Sequence, residues 1–176
     1  MHIRRATPDD TATLAQVGAI TFRETFGHLY RPQDLQYFLD TTRSSSAFAQ
    51  LLADPKMGVL LALEPAGTSR PERAIGYAVV GPCKLPVEVL EPGAGELQQL
   101  YLLADRQGGG RGTRLLEAAL RHLVEVQRRD PLYIGVWSEN YGAQRLYGRF
   151  GFLKVGEYDF PVGEHLDREF ILRRAS

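Results

Sequence analysis

The chain has a single cysteine, Cys83, in 176 residues. No internal disulfide framework is therefore open to it, and the composition suits a reducing compartment. The sequence shows no activating base for the Cys83 thiol, so a structural or incidental role is expected there. An excess of charge is also missing. The 21 basic and 21 acidic residues leave a formal net charge of zero, so electrostatics give no pull toward nucleic acid or an anionic membrane. Lysine is scarce, with only Lys56, Lys84 and Lys154 among many arginines, a skew of genome composition rather than of function. No apolar run reaches the length of a membrane span, and Met1-His2-Ile3-Arg4-Arg5 lacks the apolar segment of a secretion signal. Internal repeats, low-complexity tracts and long charge runs are absent as well. What is left is ordinary for a globular chain: 44% apolar and 24% charged residues. The length suits one domain, residues 1–176, with a sizeable core, and a cytoplasmic location is expected.

The stretch Glu96 to Leu120 organises the rest. Leu97, Leu100, Tyr101, Leu102 and Leu103 form a dense apolar run of strand length. Gln107-Gly108-Gly109-Gly110-Arg111-Gly112 then breaks the pattern. After it, Leu115, Leu116, Ala119, Leu120, Leu123 and Val124 recur at helical spacing on one face. Glycines at a helix start allow positive φ and leave backbone N–H groups uncovered. The first helical turn has unpartnered donors and a dipole that favours negative charge. Such a loop is either a flexible turn or a cradle for phosphate. A Walker loop would need a lysine where Arg111-Gly112-Thr113 has none, and a dinucleotide fingerprint would need a small residue where Leu115 stands.

Before this stretch, His2 to Ala6 reads as a strand. Thr7-Pro8-Asp9-Asp10 is a helix start with Asp10 three residues after the cap, and the helix should run to Phe26. The segment from Thr21 to Tyr30 is rich in aromatics and suits either core packing or a ligand-cleft wall. Pro32–Leu39 and Ser44–Ala53 read as short helices. Met57–Glu64 and Ala74–Gly81 are paired strands around a polar turn, Pro65–Arg73, and Pro82–Gly95 is a surface excursion. After the stretch come a strand at Leu132–Trp137, a helix at Asn140–Phe150, and strands at Leu153–Tyr158 and Arg168–Leu172 around Pro161-Val162-Gly163. Strands joined only by turns, mixed with helices, predict a mixed sheet.

Two motifs carry a family resemblance. Gln107, Gly110 and Gly112 meet Gln/Arg-x-x-Gly-x-Gly/Ala after the strand ending Leu100-Tyr101-Leu102. Asn140, Ala143, Leu146, Tyr147, Gly151 and Phe152 meet Asn-x-x-Ala-x-x-[aromatic or aliphatic]-Tyr-x-x-x-Gly-Phe. Together they resemble the coenzyme and helix motifs of the GNAT superfamily of N-acetyltransferases, over about a third of the chain. The resemblance implies a single-domain α/β (α+β) fold, with a mostly antiparallel mixed sheet of about seven strands and helices on both faces. It also implies direct acetyl transfer from acetyl-coenzyme A to a primary amine, without a metal. Leu100, Tyr101 and Leu102 would take the pantetheine arm, and Gln107, Gly108, Gly109, Gly110, Arg111, Gly112 and Thr113 the pyrophosphate. Asn140 and Ala143 would close the far side. Tyr147 would be the general acid and Glu96 the general base acting through water.

At its two ends the chain is similar to bacterial spermine/spermidine acetyltransferases of the PaiA type, through Glu24-Thr25-Phe26-Gly27 and the tail from Gly156 to Asp167. That likeness implies a small-molecule polyamine acceptor held by Glu24, Phe26, Tyr30 and Asp159, although Arg168 in the tail departs from an acidic approach. Other acceptors stay open: a protein N-terminus, an amino-acid derivative or an antibiotic amine. So does a catalytically quiet acyl-coenzyme A module, and, more remotely, a nucleotide-binding protein. No nucleic-acid or membrane partner is expected, and a homodimer is an option that the family carries.

Overall fold

Val59, Leu60, Leu61, Ala62 and Leu63 run without a polar break, and a strand so composed has to be covered on both faces. In the computed structural model, which describes residues 1–67 and 72–174, these five side chains are buried. They lie in β2 (Gly58–Glu64), with β1 (His2–Arg5) on one side and β3 (Arg73–Pro82) on the other. The sheet continues through β4 (Gly95–Leu102), β5 (Leu132–Trp137), β7 (His165–Arg174) and β6 (Leu153–Val162), in the order β1-β2-β3-β4-β5-β7-β6. Every neighbouring pair is antiparallel except β4 and β5, which are parallel. A parallel pair needs a crossover, and here it is the glycine loop and the helix after it.

The helices are α1 (Thr11–Phe26), α2 (Pro32–Thr42), α3 (Ser45–Ala53), α4 (Arg111–Arg121) and α5 (Tyr141–Arg149). On one face of the sheet, Tyr77 of β3 sits edge-on to Phe48 of α3, with ring centroids 5.4 Å apart, and stacks on Tyr101 of β4. On the other face α4 buries Leu115, Leu116, Ala119 and Leu120. There a Cβ on Gly58 would stand 2.5 Å from Nε2 of His122, just beyond α4, so only glycine lets the strand and that turn come so close. Among the described residues no helix is long and apolar enough to cross a membrane.

Several boundaries move from the sequence expectation. The predicted first helix opens as a single 3-10 turn, Pro8–Asp10, before α1 begins. Asp10 Oδ2 accepts from the Thr7 N–H at 2.7 Å, and Arg4 donates to both carboxylate oxygens at 2.7 and 2.8 Å. The Arg4 guanidinium beside it holds the Asp10 carboxyl down at about 2. After α4 the chain closes a wider turn over His122–Val126, which leaves Val124 exposed rather than on the buried face. The polar turn expected at Pro65–Arg73 has its centre, 68–71, outside the described residues. β6 and β7 run further than predicted, so the hairpin turns at Gly163-Glu164, where Gly163 adopts φ +61. Pro161 is tolerated because β6 is an edge strand, with one side free of partners.

The excursion expected over Pro82–Gly95 is on the surface at Lys84, Pro86, Glu88, Val89 and Leu90, but it is anchored at three points. Cys83, Leu85 and Ala94 are buried against Tyr133 and Ile171 in a separate small core. Burial pushes the Cys83 thiol up to about 11, which leaves it protonated and unreactive near neutrality.

Candidate active site

β4 and β5 stay paired only from Gly95↔Leu132 to Leu97↔Ile134. Past that point the two strands diverge, and the β5-facing edge of β4 has no strand partner. The β3–β4 register steps from Val79↔Gln99 to Val80↔Leu97, so Gln98 is an extra, bulged residue beside the opening. An unpaired strand edge next to a bulge offers backbone N–H and C=O groups to an extended ligand.

On one side of the opening lies a groove of about 900 Å³. Leu100, Tyr101 and Leu102 form one wall, and Gln107, Gly108, Gly110, Gly112 and Thr113 line its end. Gly108, Gly109 and Gly110 adopt φ +81, +57 and +73, in succession. Side chains resist that region, so the three glycines are a backbone requirement. Among the described residues the N–H groups of Gly108, Gly109, Gly110, Gly112 and Thr113 donate to no backbone carbonyl. With the α4 N-terminus behind them, these donors suit a phosphate group. Gly109 and Arg111 belong to the same loop but do not line the groove.

Across the groove stands the start of α5. Asn140 Oδ1 accepts from the Ala143 N–H at 3.0 Å, so the side-chain carbonyl caps the helix and only its amide nitrogen is left for a ligand. Tyr147 lies one turn further on, 6% exposed and packed near Phe152. Burial pushes its phenol pKa up, with Tyr101 and the Glu169 carboxylate adding to the effect, so the proton stays on Oη.

On the other side of the opening is a cavity of about 580 Å³. Leu100, Tyr101, Trp137, Asn140, Ala143 and Tyr147 line both groove and cavity, so the two share a wall. Four carboxylate residues line the cavity: Asp54, which is exposed at the end of α3, and three set deeper. Glu96 is 7% exposed, and its Oε2 accepts from the Lys84 N–H at 2.7 Å; burial raises its pKa. Asp167, 4% exposed, accepts from the Tyr30 hydroxyl on one oxygen and meets His165 Nε2 at 3.1 Å on the other. Glu169 accepts from the Tyr158 hydroxyl at 3.1 Å. Burial, with Asp167 and Glu96 adding like charge, pushes its carboxyl up to about 7. Gly135 leaves the room these groups need, since a Cβ there would stand 3.0 Å from Tyr158 Oη and 3.1 Å from Glu169 Oε2.

Of the acceptor residues expected from sequence, Phe26 and Tyr30 line this cavity. They also pack with Phe22, Leu39 and Val162 in a second core cluster, so the aromatic segment is both core and cleft wall. Glu24 lies on the groove side instead, where Oε2 accepts from the Ala104 N–H at 2.9 Å and holds the start of the glycine loop. Asp159 is a correction: it is exposed and lines neither space. Strand alternation sends Tyr158 and Phe160 inward and Asp159 outward, opposite Arg168, which pairs with Glu157 outside the cavity. The departure that Arg168 posed for an acidic approach therefore lies outside the cavity.

Sequence reading missed Asp167, Glu169, Tyr158 and Arg43. For the first three a signal existed. In the β6–β7 hairpin Tyr158 pairs with Glu169 and Phe160 with Asp167, and counting by twos puts these four on one face. For Arg43, after the end of α2, no such signal exists. Among the described residues no three His, Cys, Asp or Glu side chains are grouped to hold a metal ion.

Residues 21–152 match the acetyltransferase (GNAT) family. Over 169 residues the chain is 30% identical to an uncharacterized N-acetyltransferase of Mycobacterium bovis, which spans 94% of this chain and 97% of that protein. A spermine/spermidine N(1)-acetyltransferase of Bacillus subtilis is 32% identical over 97 residues, 55% of this chain and 64% of that protein. Among solved structures, a PaiA N-acetyltransferase of Thermoplasma acidophilum in complex with coenzyme A gives a TM-score of 0.73 at 18% identity, over 99% of this chain and 98% of that one. At that identity the likeness is one of fold.

Proposed function

The chain belongs to the acetyltransferase (GNAT) family, and on that premise we propose that it moves an acetyl group from acetyl-coenzyme A directly to a primary amine of a small molecule. The observation that carries this reading is the shared wall. A groove ending in uncovered backbone N–H groups and a cavity holding the carboxylates of Glu96, Asp167 and Glu169 meet at Tyr147.

Acetyl-coenzyme A, when bound, supplies an acetyl thioester, activated toward an uncharged amine. The residues present fit it. The N–H groups of Gly108, Gly110, Gly112 and Thr113 would hold its phosphates, and the free edge of β4 from Gln98 to Leu102 would pair with its extended arm. The Asn140 amide nitrogen would close on that arm from α5. Tyr147 would hold a proton at Oη for the sulfur that leaves. Burial raises the phenol pKa, but the same burial makes a thiolate formed beside it a stronger base, so the transfer stays matched.

An alkylammonium has a pKa of about 10, so it has to lose a proton before it can attack. Glu96 and Glu169 are the acceptors of that proton in this reading. The Glu96 charge is the smallest of the causes that raise Glu169. Of the two, Glu169, held at about 7, is the one poised to change protonation near neutral pH. Asp167 adds attraction for the ammonium, and the rings of Phe26, Trp137 and Phe160 exclude water around it.

Two acceptor classes draw support from separate observations. The three carboxylates and the Bacillus subtilis relative support a polyamine. Arg43, in the same cavity, supports an amine that also carries negative charge. Coenzyme A thiol release measured over a panel of polyamines, amino acids, short peptides and aminoglycosides tests the common reading. Coenzyme binding with no release for any amine would sink it, and a catalytically quiet acyl-coenzyme A module would then be the better account.

A further inference from the structure

Arg43 is 7% exposed and lines the cavity. Its guanidinium carbon lies 5.3 Å from the ring centroid of Phe22, 5.4 Å from that of Phe38 and 5.8 Å from that of Tyr101. One terminal nitrogen donates to the Thr42 carbonyl at 3.1 Å. Nε has no acceptor, and among the described residues no carboxylate stands within 4.0 Å of the group. Facing rings offset part of the cost of burying a cation. The Tyr77 and Tyr101 hydroxyls also lie near enough for the guanidinium to draw both phenols down, but neither carries a charge. A buried cation without a counter-charge is the arrangement folded proteins avoid unless something else completes it.

The buried carboxylates of the cavity carry the opposite sign, while Asp54 and Lys84 reach it only as exposed residues. Glu96, Asp167 and Glu169 come from β4 and β7, whereas Arg43 comes from the α2–α3 connection. Tyr101 lines the same cavity, with its ring centroid 5.8 Å from the Arg43 guanidinium carbon. Burial pushes its phenol up, Arg43 draws it back down, and Glu169 pushes it up again, so it feels both charges. A linear polycation placed in this space would satisfy the carboxylates and set positive charge against Arg43. A neutral alkylamine would leave the guanidinium unmatched.

We propose that the acceptor is an amino-carboxylate, a primary amine whose own carboxylate is received by Arg43 while its ammonium end faces Glu96, Asp167 and Glu169. This rests on the acetyl-transfer reading above and names the substrate class for the same cavity. The planar guanidinium takes a carboxylate through two parallel N–H donors, a geometry that neither an amide nor an ester reproduces with charge. The fixed separation of the poles selects for distance between amine and carboxylate, and that selection makes Arg43 a specificity residue rather than a catalytic one.

The test compares each amine with its uncharged twin. Glycine, β-alanine, γ-aminobutyrate and lysine are assayed beside their carboxamides, with spermidine and putrescine as polycations. Wild-type enzyme should prefer one carboxylate over its carboxamide by about ten- to a hundredfold in kcat/KM, through KM, the worth of one charge-assisted contact. In Arg43→Met that ratio should fall toward one, and Arg43→Lys should recover part of it. A purely structural Arg43 would lower both members of each pair together and leave the ratio alone. Calorimetry with coenzyme A-loaded protein reads the same preference without turnover. If polyamines or carboxamides are the better acceptors, or the calorimetric preference is absent, the amino-carboxylate assignment falls while acetyl transfer stands. If no amine is acetylated but the carboxylates still bind through Arg43, the transfer reading falls and the site assignment stands.

Discussion

The groove and the cavity share a wall but are built in different ways. The groove is built mainly on local stretches: the end of β4, the glycine loop and the first turn of α4 follow one another in sequence, and the start of α5 with Glu24 and Thr25 of α1 closes it. Its chemistry is mostly backbone, uncovered N–H groups and an unpaired strand edge. The cavity gathers side chains from α1, α2, α3, β4, β5, β6 and β7, and its chemistry is charge and aromatic surface. A groove of that kind tolerates different side chains as long as the backbone keeps its shape. A cavity of that kind is set by whichever side chains point into it, and so it is where acceptor specificity is decided.

Four experiments sharpen or break that contrast. The largest effect belongs to the shared wall. Tyr147→Phe should lower kcat by about a hundred- to ten-thousandfold with little change in KM for either substrate. A kcat within a few-fold of wild type would show that the proton comes from elsewhere. Next comes the groove. A β-branched residue at Gly110, which holds φ +73, strains the loop by about 1–2 kcal/mol, so Gly110→Val should raise KM for acetyl-coenzyme A about tenfold. If KM for the amine rises instead, the two spaces are not separable.

The third acts on the cavity alone. Glu169, held at about 7, should appear as the acid limb of kcat/KM for the amine, and Glu169→Gln should remove that limb. Glu96→Gln should move it to lower pH, because the Glu96 charge contributes to raising Glu169. If Glu96→Gln abolishes the limb while Glu169→Gln leaves it, Glu96 is the proton acceptor. Stability carries the same signature. A carboxyl raised from 4.5 to about 7 makes the folded state bind more protons than the unfolded one across that window. Stability should therefore decline as pH rises through it, and the decline should be absent in Glu169→Gln.

The smallest effect lies outside both spaces. Asp10 is held at about 2 by Arg4, below its ordinary 3.8. Its contribution to stability is full above about pH 4 and is lost as pH falls through about 2. Asp10→Asn should cost about 1 kcal/mol at neutral pH, since Arg4 is half exposed and the pair is screened. In urea unfolding the variant should lack the wild-type loss of stability between pH 4 and 2. A change in either KM would tie this corner to the site after all.

The contrast also explains what could be read from the chain. The glycine loop and the Asn140–Phe152 motif are short, local and demanding of particular residues, because positive φ and a helix cap leave few choices. Glu24 shows the limit. It stands where the sequence suggests an acceptor ligand, yet it hydrogen-bonds the Ala104 N–H on the groove side. Asp159 shows another: one step along a strand exchanges the inside for the outside, and its chain neighbour Phe160 takes the inward place. The segment 83–94 reads as exposed loop by its prolines, and only the tertiary packing shows that Cys83 and Leu85 anchor it against Tyr133 while Val89 and Leu90 stay exposed.

By itself the sequence determined the strand–helix order, the mixed sheet and the backbone of the groove, since each follows from periodicity and backbone sterics over a few residues. The tertiary structure alone decided that Glu96, Asp167 and Glu169 face one space with Arg43. Those residues are up to about 125 positions apart in the chain, and their meeting depends on the order in which seven strands pair, which no local pattern encodes.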